Sequence, residues 1–255
     1  MMKRYPIPPF REKFPLPTAH RPWPPPRRPW VGRQTWADLL FAHWRVRVEQ
    51  VRHLVPSGLN IQEFDGSSWI GLVPFRMQGV MLRYLPDVPG LSAFPELNVR
   101  LYVEKDGKPG VWFLSLDADN APAVWAARTF LHLPYYRAAM SLEARGDLIE
   151  YSSVRRGGAA RYRGNYRPTG DVYTAQPGSL DRWLTERYCL YAAAPSGELR
   201  RMEVHHVEWP LQPAEAEIHE NSMFEPHGVK VTGAPILHFA RRLDVVVWPP
   251  EKCGR

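Results

Sequence analysis

The run Phe94–Glu104, FPELNVRLYVE, alternates more cleanly than any other stretch of the chain, and a period of two limits what such a chain can fold into. Successive side chains of a strand leave opposite faces. Leu97, Val99, Leu101 and Val103 therefore share one face, while Glu96, Asn98, Arg100, Tyr102 and Glu104 share the other. The Asp106-Gly107 pair suits a tight hairpin turn and leads into a second strand, Gly110–Asp117. Further strands are predicted at Thr35–Val46, Asn60–Phe64, Trp69–Met77, Ala138–Ala144, Leu148–Val154, Ala159–Arg167, Glu186–Ala193, Leu199–Trp209, Ala214–Glu220 and Ile236–Trp248. Asn60–Phe64 and Trp69–Met77 flank Asp65-Gly66 and read as a hairpin. Pro74 cannot donate to a ladder and requires a bulge or an edge there. About twelve short strands with few helices in 255 residues indicate a mainly β fold, a closed or sandwiched antiparallel sheet.

Three short helices interrupt the strands. Thr35–Val46 could also place Trp36, Leu39, Leu40 and His43 on one helix face. A strand is preferred because Val48, Val51, Arg52 and Val55 have the better helical spacing, with Pro56 and Gly58 as a stop. Between Leu114 and Met140 the period changes twice. Leu114 and Leu116 alternate with Ser115 and Asp117 as in a half-buried strand, and then Asp119 or Asn120 can cap a helix whose first turn tolerates Pro122. Val124, Trp125, Arg128, Thr129 and Leu131 follow at helical spacing, and Pro134 forces an exit that delivers Tyr135, Tyr136 and Arg137 to the start of the next strand. Ser179 is the natural cap of a third helix through Thr185.

The net charge of +7 is concentrated at one end. Residues 1–30 hold seven basic side chains against Glu12 alone, so the remaining body is close to neutral. The same 30 residues contain ten prolines, which favour extended structure over a packed core. They read as an arm lying on its own domain or on a neighbouring subunit through Tyr5, Phe10, Phe14 and Trp23, or as a docking segment for a partner; self-association into a homo-oligomer stays open. Arg155, Arg156, Arg161, Arg163 and Arg167 are expected to form one solvated sheet face, and no nucleic-acid partner is expected. Cys189 and Cys253 alone imply no disulfide framework. With no apolar run of spanning length and no secretory signal, a cytoplasmic protein without a membrane partner is expected.

Phosphate-loop, dinucleotide, nucleophile-elbow and zinc signatures are missing. His205 and His206 are predicted on a strand, facing opposite ways, and His219, His227 and His238 are scattered. Neither a metal nor a cofactor is expected.

The runs RQTWADLLFAHW, WIGLVPFRM, GLSAFPELNVRLYV, GVWFLSLDA, LTERYCLYA and HFARRLDVVVW, in that order, resemble the YqjF-like proteins, a bacterial family of unknown function, over residues 30–249. That family is similar in fold to acetoacetate decarboxylase. The resemblance implies a single antiparallel β-barrel domain with an interior cavity at residues 31–250, between the arm and a tail at 251–255. Residues 113–139 resemble the decarboxylase segment that bears the catalytic lysine pair, which falls here on Tyr135 and Tyr136, and the cavity glutamate falls on Glu96. A phenol cannot condense to an iminium, and none of the six lysines (3, 13, 105, 108, 230 and 252) lies in this segment. Acetoacetate decarboxylation is therefore not expected.

What the resemblance implies instead is a chamber in which Glu96, Asn98 and Arg100 meet Tyr135 and Tyr136, with Glu186 and Arg187 facing them from an opposite strand. Such a set would bind a small polar or carboxylated molecule. Two other readings are an enzyme acting on a carbonyl compound with Glu96 as base and Tyr135 or Tyr136 as acid, and a scaffold that recruits a partner through the arm.

Overall fold

A computed structural model describes residues 17–84, 92–158 and 160–254; Tyr5, Phe10 and Phe14 lie outside them. The strands among the described residues are β1 (Gly32–Val46), β2 (Asn60–Ile61), β3 (Ser68–Leu82), β4 (Phe94–Lys105), β5 (Lys108–Ala118), β6 (Tyr135–Arg145) and β7 (Leu148–Arg155). They continue with β8 (Arg161–Pro168), β9 (Cys189–Ala193), β10 (Leu199–His205), β11 (Gln212–Asn221), β12 (Ile236–Val247) and β13 (Glu251–Lys252). Three short α-helices, α1 (Val48–Val51), α2 (Ala121–Ala126) and α3 (Leu180–Thr185), sit where the breakers and caps placed them. The Asn120 side chain accepts from the Ala123 amide at 3.1 Å, and Ser179 Oγ accepts from the Arg182 amide at 3.2 Å.

All thirteen strands form one sheet that closes on itself twice. The first ring runs β12-β1-β3-β4-β5-β9-β10 and returns to β12 through Val204 opposite Val247 and His205 opposite Val246. The second runs from β5 through β6, β7, β8 and β11 to β12. The two rings share the wall β12-β1-β3-β4-β5, and that position explains the burial of β4. From Phe94 to Val103 every residue is buried, because each face of the strand looks into a different interior. Leu97, Val99, Leu101 and Val103 enter a solid core with Leu72, Leu142, Tyr151 and Tyr162.

Ring closure accounts for several departures from the expectations. The sheet is mixed, not wholly antiparallel: β5 runs parallel to β6 and to β9, since a helix-bearing crossover rather than a hairpin joins β5 to β6. Only an isolated bridge, Phe64 with Ser67, survives from the expected hairpin at Asp65-Gly66. β2 pairs instead with Val103 and Glu104, the end of β4 that projects beyond its contact with β3. Leu114–Asp117 is buried on both faces, not half-buried. Arg155 leaves the expected solvated stripe to pair with Asp117 inside the second ring, while Arg156, Arg161, Arg163 and Arg167 stay exposed. Trp125, at helical spacing with the buried Val124, is 63% exposed because α2 packs only one narrow side on the barrel. Glu186, Arg187 and Tyr188 precede β9 rather than opening it, and β10 ends at His205, short of Trp209.

Pro74 lies in a central strand and opposite a bulge. β1 spends five steps between Ala37 and Ala42 where β3 spends four between Arg76 and Leu72, and the bulged Asp38 takes φ 50°. Its carboxylate is held by Arg76 and Arg241. Residues 17–30 are tied to the barrel as well: Arg21 Nη2 and Trp23 Nε1 both donate to Glu203 Oε2 at 2.8 Å.

Candidate functional site: a chamber with two unpaired cations

The first ring is not filled. Its interior holds a cavity of about 160 Å³. The walls are largely apolar and aromatic, with Trp36 stacked on Trp209 at 5.7 Å and Phe41 edge-on to Trp209 at 4.8 Å. Alternation along β4 delivers Glu96, Asn98 and Arg100 to this side. Leu131 and Leu133 arrive on the segment after α2 and Tyr135 on the first residue of β6, while Thr185 ends α3 and Arg187 follows it.

One end of the polar set is acidic and uncharged. Glu96 is 2% exposed, and Tyr135 Oη donates to its Oε2 at 2.9 Å. Burial pushes the Glu96 carboxyl up to about 8, against the hydrogen bonds from Tyr135 and Asn98, so it carries its proton at neutral pH. Burial, together with the neighbouring carboxyl, pushes the Tyr135 phenol well above its ordinary value. The pair is thus two neutral groups that can each donate a proton or a hydrogen bond.

The other end is cationic. The guanidinium of Arg100 donates to Tyr102 Oη at 3.0 Å and to the Leu184 carbonyl at 3.0 Å. Arg187 Nη1 donates to Gln62 Oε1 at 2.6 Å, while its Nε and Nη2 are buried without a protein partner. Burial, and Arg100 beside it, lowers Arg187 to about 10, which still leaves it charged at pH 7. Among the described residues neither guanidinium has a carboxylate partner. Buried charges are ordinarily paired, and here the described residues place no carboxylate beside either one.

Five of the seven residues singled out in the sequence therefore meet here: Glu96, Asn98, Arg100, Tyr135 and Arg187. Two do not. Tyr136 is 38% exposed, its ring lying 4.0 Å from the Arg155 guanidinium, because consecutive residues of a strand face opposite ways. Glu186 sits on an outer groove, where it holds the Tyr188 hydroxyl and accepts from the Trp209 amide at 2.9 Å. Sequence reasoning missed Gln62, which anchors Arg187, and the pair Tyr102 and His43, joined at 2.6 Å. Tyr102 shares the Glu96 face of β4, which was the available signal. Burial holds the His43 imidazole well below its ordinary value, hence neutral. His205 ends β10, and His206 lies beyond it, stacked on Tyr188 at 4.8 Å. Among the described residues no His, Cys, Asp and Glu cluster is arranged to hold a metal ion, and no helix is long and apolar enough to cross a membrane.

The architecture is that of the acetoacetate-decarboxylase fold. It matches an enduracididine biosynthesis enzyme, MppR, complexed with pyruvate, at a TM-score of 0.63 and 13% identity over 88% of this chain and 91% of that one. It also matches acetoacetate decarboxylase from Legionella pneumophila at a TM-score of 0.59 and 13% identity over 92% of this chain and 93% of that one. Within that class, residues 33–244 match DUF2071, described as an uncharacterized conserved protein. The chain is also 48% identical to the uncharacterized protein YqjF of Bacillus subtilis (strain 168) over 225 residues, 88% of this chain and 93% of the relative. It belongs to the DUF2071/YqjF family.

Proposed function

We propose that this protein binds a small carboxylate, of the size of pyruvate or acetoacetate, inside the first ring. The observation that carries the reading is the pair of buried guanidiniums, Arg100 and Arg187, without an acidic partner among the described residues, beside a carboxyl that is itself neutral. A carboxylate there would satisfy the free donors of Arg187. Its carbonyl would accept from Tyr135 or from protonated Glu96. The pyruvate held by a fold relative accords with this chemistry. No lysine lines the chamber among the described residues, and the resemblance implies that the decarboxylase's amine pair falls on Tyr135 and Tyr136, which supports a ligand held without a Schiff base. Thermal unfolding with pyruvate, acetoacetate and acetone tests the reading. Both acids should raise the midpoint and acetone should not, and the effect should vanish in Arg187→Met. An equal response to acetone, or borohydride trapping of acetoacetate on a lysine, would defeat it.

The 2.9 Å contact between Glu96 and Tyr135 favours a second reading, acid/base catalysis on a bound 2-oxo acid. In the fraction of molecules whose Glu96 is ionised, a fraction that grows as pH approaches 8, the carboxylate can take a proton from carbon while Tyr135 donates to the developing enolate oxygen and the guanidiniums offset the charge. Exchange of the pyruvate methyl protons with deuterium, followed by NMR, is the readout, and Glu96→Gln should abolish it.

A further inference from the structure

A groove of about 270 Å³ lies outside the chamber, between the residue 20–23 segment and α3. Its walls are the rings of Trp23, Phe64, Trp183 and Tyr188. Arg187 lines both the groove and the chamber, and among the described residues no other is common to the two. Its guanidinium lies 4.6 Å from the Trp183 ring centre.

The other polar side chains of the groove are already engaged. His20 Nε2 lies 2.8 Å from the His206 carbonyl, Ser179 Oγ donates to the Gln176 carbonyl at 2.7 Å, and Arg182 Nη1 holds Glu208 at 2.6 Å. Glu186 is occupied by Tyr188 and by the Trp209 amide. Arg187, 7% exposed, is the groove-lining side chain that keeps buried donors, Nε and Nη2, without a partner. The aromatic wall of the groove thus borders a cation that lies between the Trp183 and Tyr102 rings and whose Nε and Nη2 have no protein partner among the described residues.

We propose that this groove is the outer compartment of the ligand site and takes the planar aromatic group of an aryl-substituted carboxylate whose anionic end rests on Arg187. The inference rests on the reading that Arg187 receives a carboxylate. It deepens that reading by naming the substituent. A cavity of about 150 Å³ is filled by a molecule the size of benzene, so a chamber of about 160 Å³ holds a short acid but not an aryl acid as well. An added ring must lie outside, and the wall beyond Arg187 is built of rings.

The test compares pyruvate with phenylpyruvate by calorimetry on the full chain. Phenylpyruvate should bind at least about tenfold more tightly, from the area and stacking of one ring, and should displace pyruvate because both need Arg187. Trp183→Ala should remove most of that advantage and leave pyruvate within about twofold, while Trp183→Phe, which keeps a ring, should restore most of it. Equal affinities, simultaneous binding, or a Trp183→Ala loss shared equally by both acids would overturn the groove and leave the chamber reading intact. Tight, Trp183-dependent phenylpyruvate binding without pyruvate binding would support the groove and remove the chamber. Binding of neither acid would overturn both.

Discussion

The two faces of β4 see two interiors of one sheet, and the interiors treat charge differently. On the solid side, Leu97, Val99, Leu101 and Val103 are fully buried in a close-packed core, and the buried Asp117 of that ring is closed by Arg155 through Nε at 3.0 Å and Nη2 at 2.7 Å. On the hollow side, Glu96 is neutral, and among the described residues Arg100 and Arg187 have no carboxylate. Both interiors are lined by buried residues, so burial alone does not distinguish a site from a core. The distinction lies in which buried groups the fold itself satisfies.

Glu96 offers the largest effect with which to break that comparison. Its folded value of about 8 lies above the ordinary 4.5, so the folded chain keeps a proton that the unfolded chain has released between those values. Stability therefore falls as pH rises from 4.5 to 8, with a ceiling of roughly 5 kcal/mol. Glu96→Gln should flatten this part of the profile. Urea midpoints measured across the range for both proteins give the difference directly, and parallel profiles would mean that the Glu96 carboxyl is already ionised in the hollow.

One replacement made on each side should then have very different costs. Arg155→Met strands a buried carboxylate and should cost roughly 3–5 kcal/mol in urea unfolding. Arg187→Met removes a cation that nothing balances and should leave stability within about 1 kcal/mol of the parent or raise it, despite the lost bond to Gln62. A large cost for Arg187→Met would mean that the hollow is a satisfied network after all.

Much of this arrangement could be read from the chain. The strict alternation of 94–104 placed Glu96, Asn98 and Arg100 on one face, and a cap, an early proline and a terminating proline placed Tyr135 at a strand start. What escaped depends on distance along the sequence. β2 abandons its near neighbour for Val103 and Glu104, and Arg155 crosses 38 residues to Asp117. Neither choice leaves a periodic trace. Tyr136 and Glu186 were misplaced for a simpler reason: adjacency in the chain was taken for adjacency in space, although neighbouring strand residues diverge and the chain at Glu186 is not yet a strand.

That error yields the finest test, because the two tyrosines differ by one position and by one wall. Tyr135→Phe deletes the hydroxyl that donates to Glu96 and should cost about 1 kcal/mol. Since that bond opposes the burial that raises Glu96, its loss should also shift the pH-dependent fall in stability to higher pH. Tyr136→Phe keeps the ring against Arg155 and should change stability by less than about 0.5 kcal/mol, with the pH profile unmoved. If the two substitutions shifted the profile alike, the phenol facing Glu96 would not be Tyr135 alone, and the division between hollow and surface at the start of β6 would have to be redrawn.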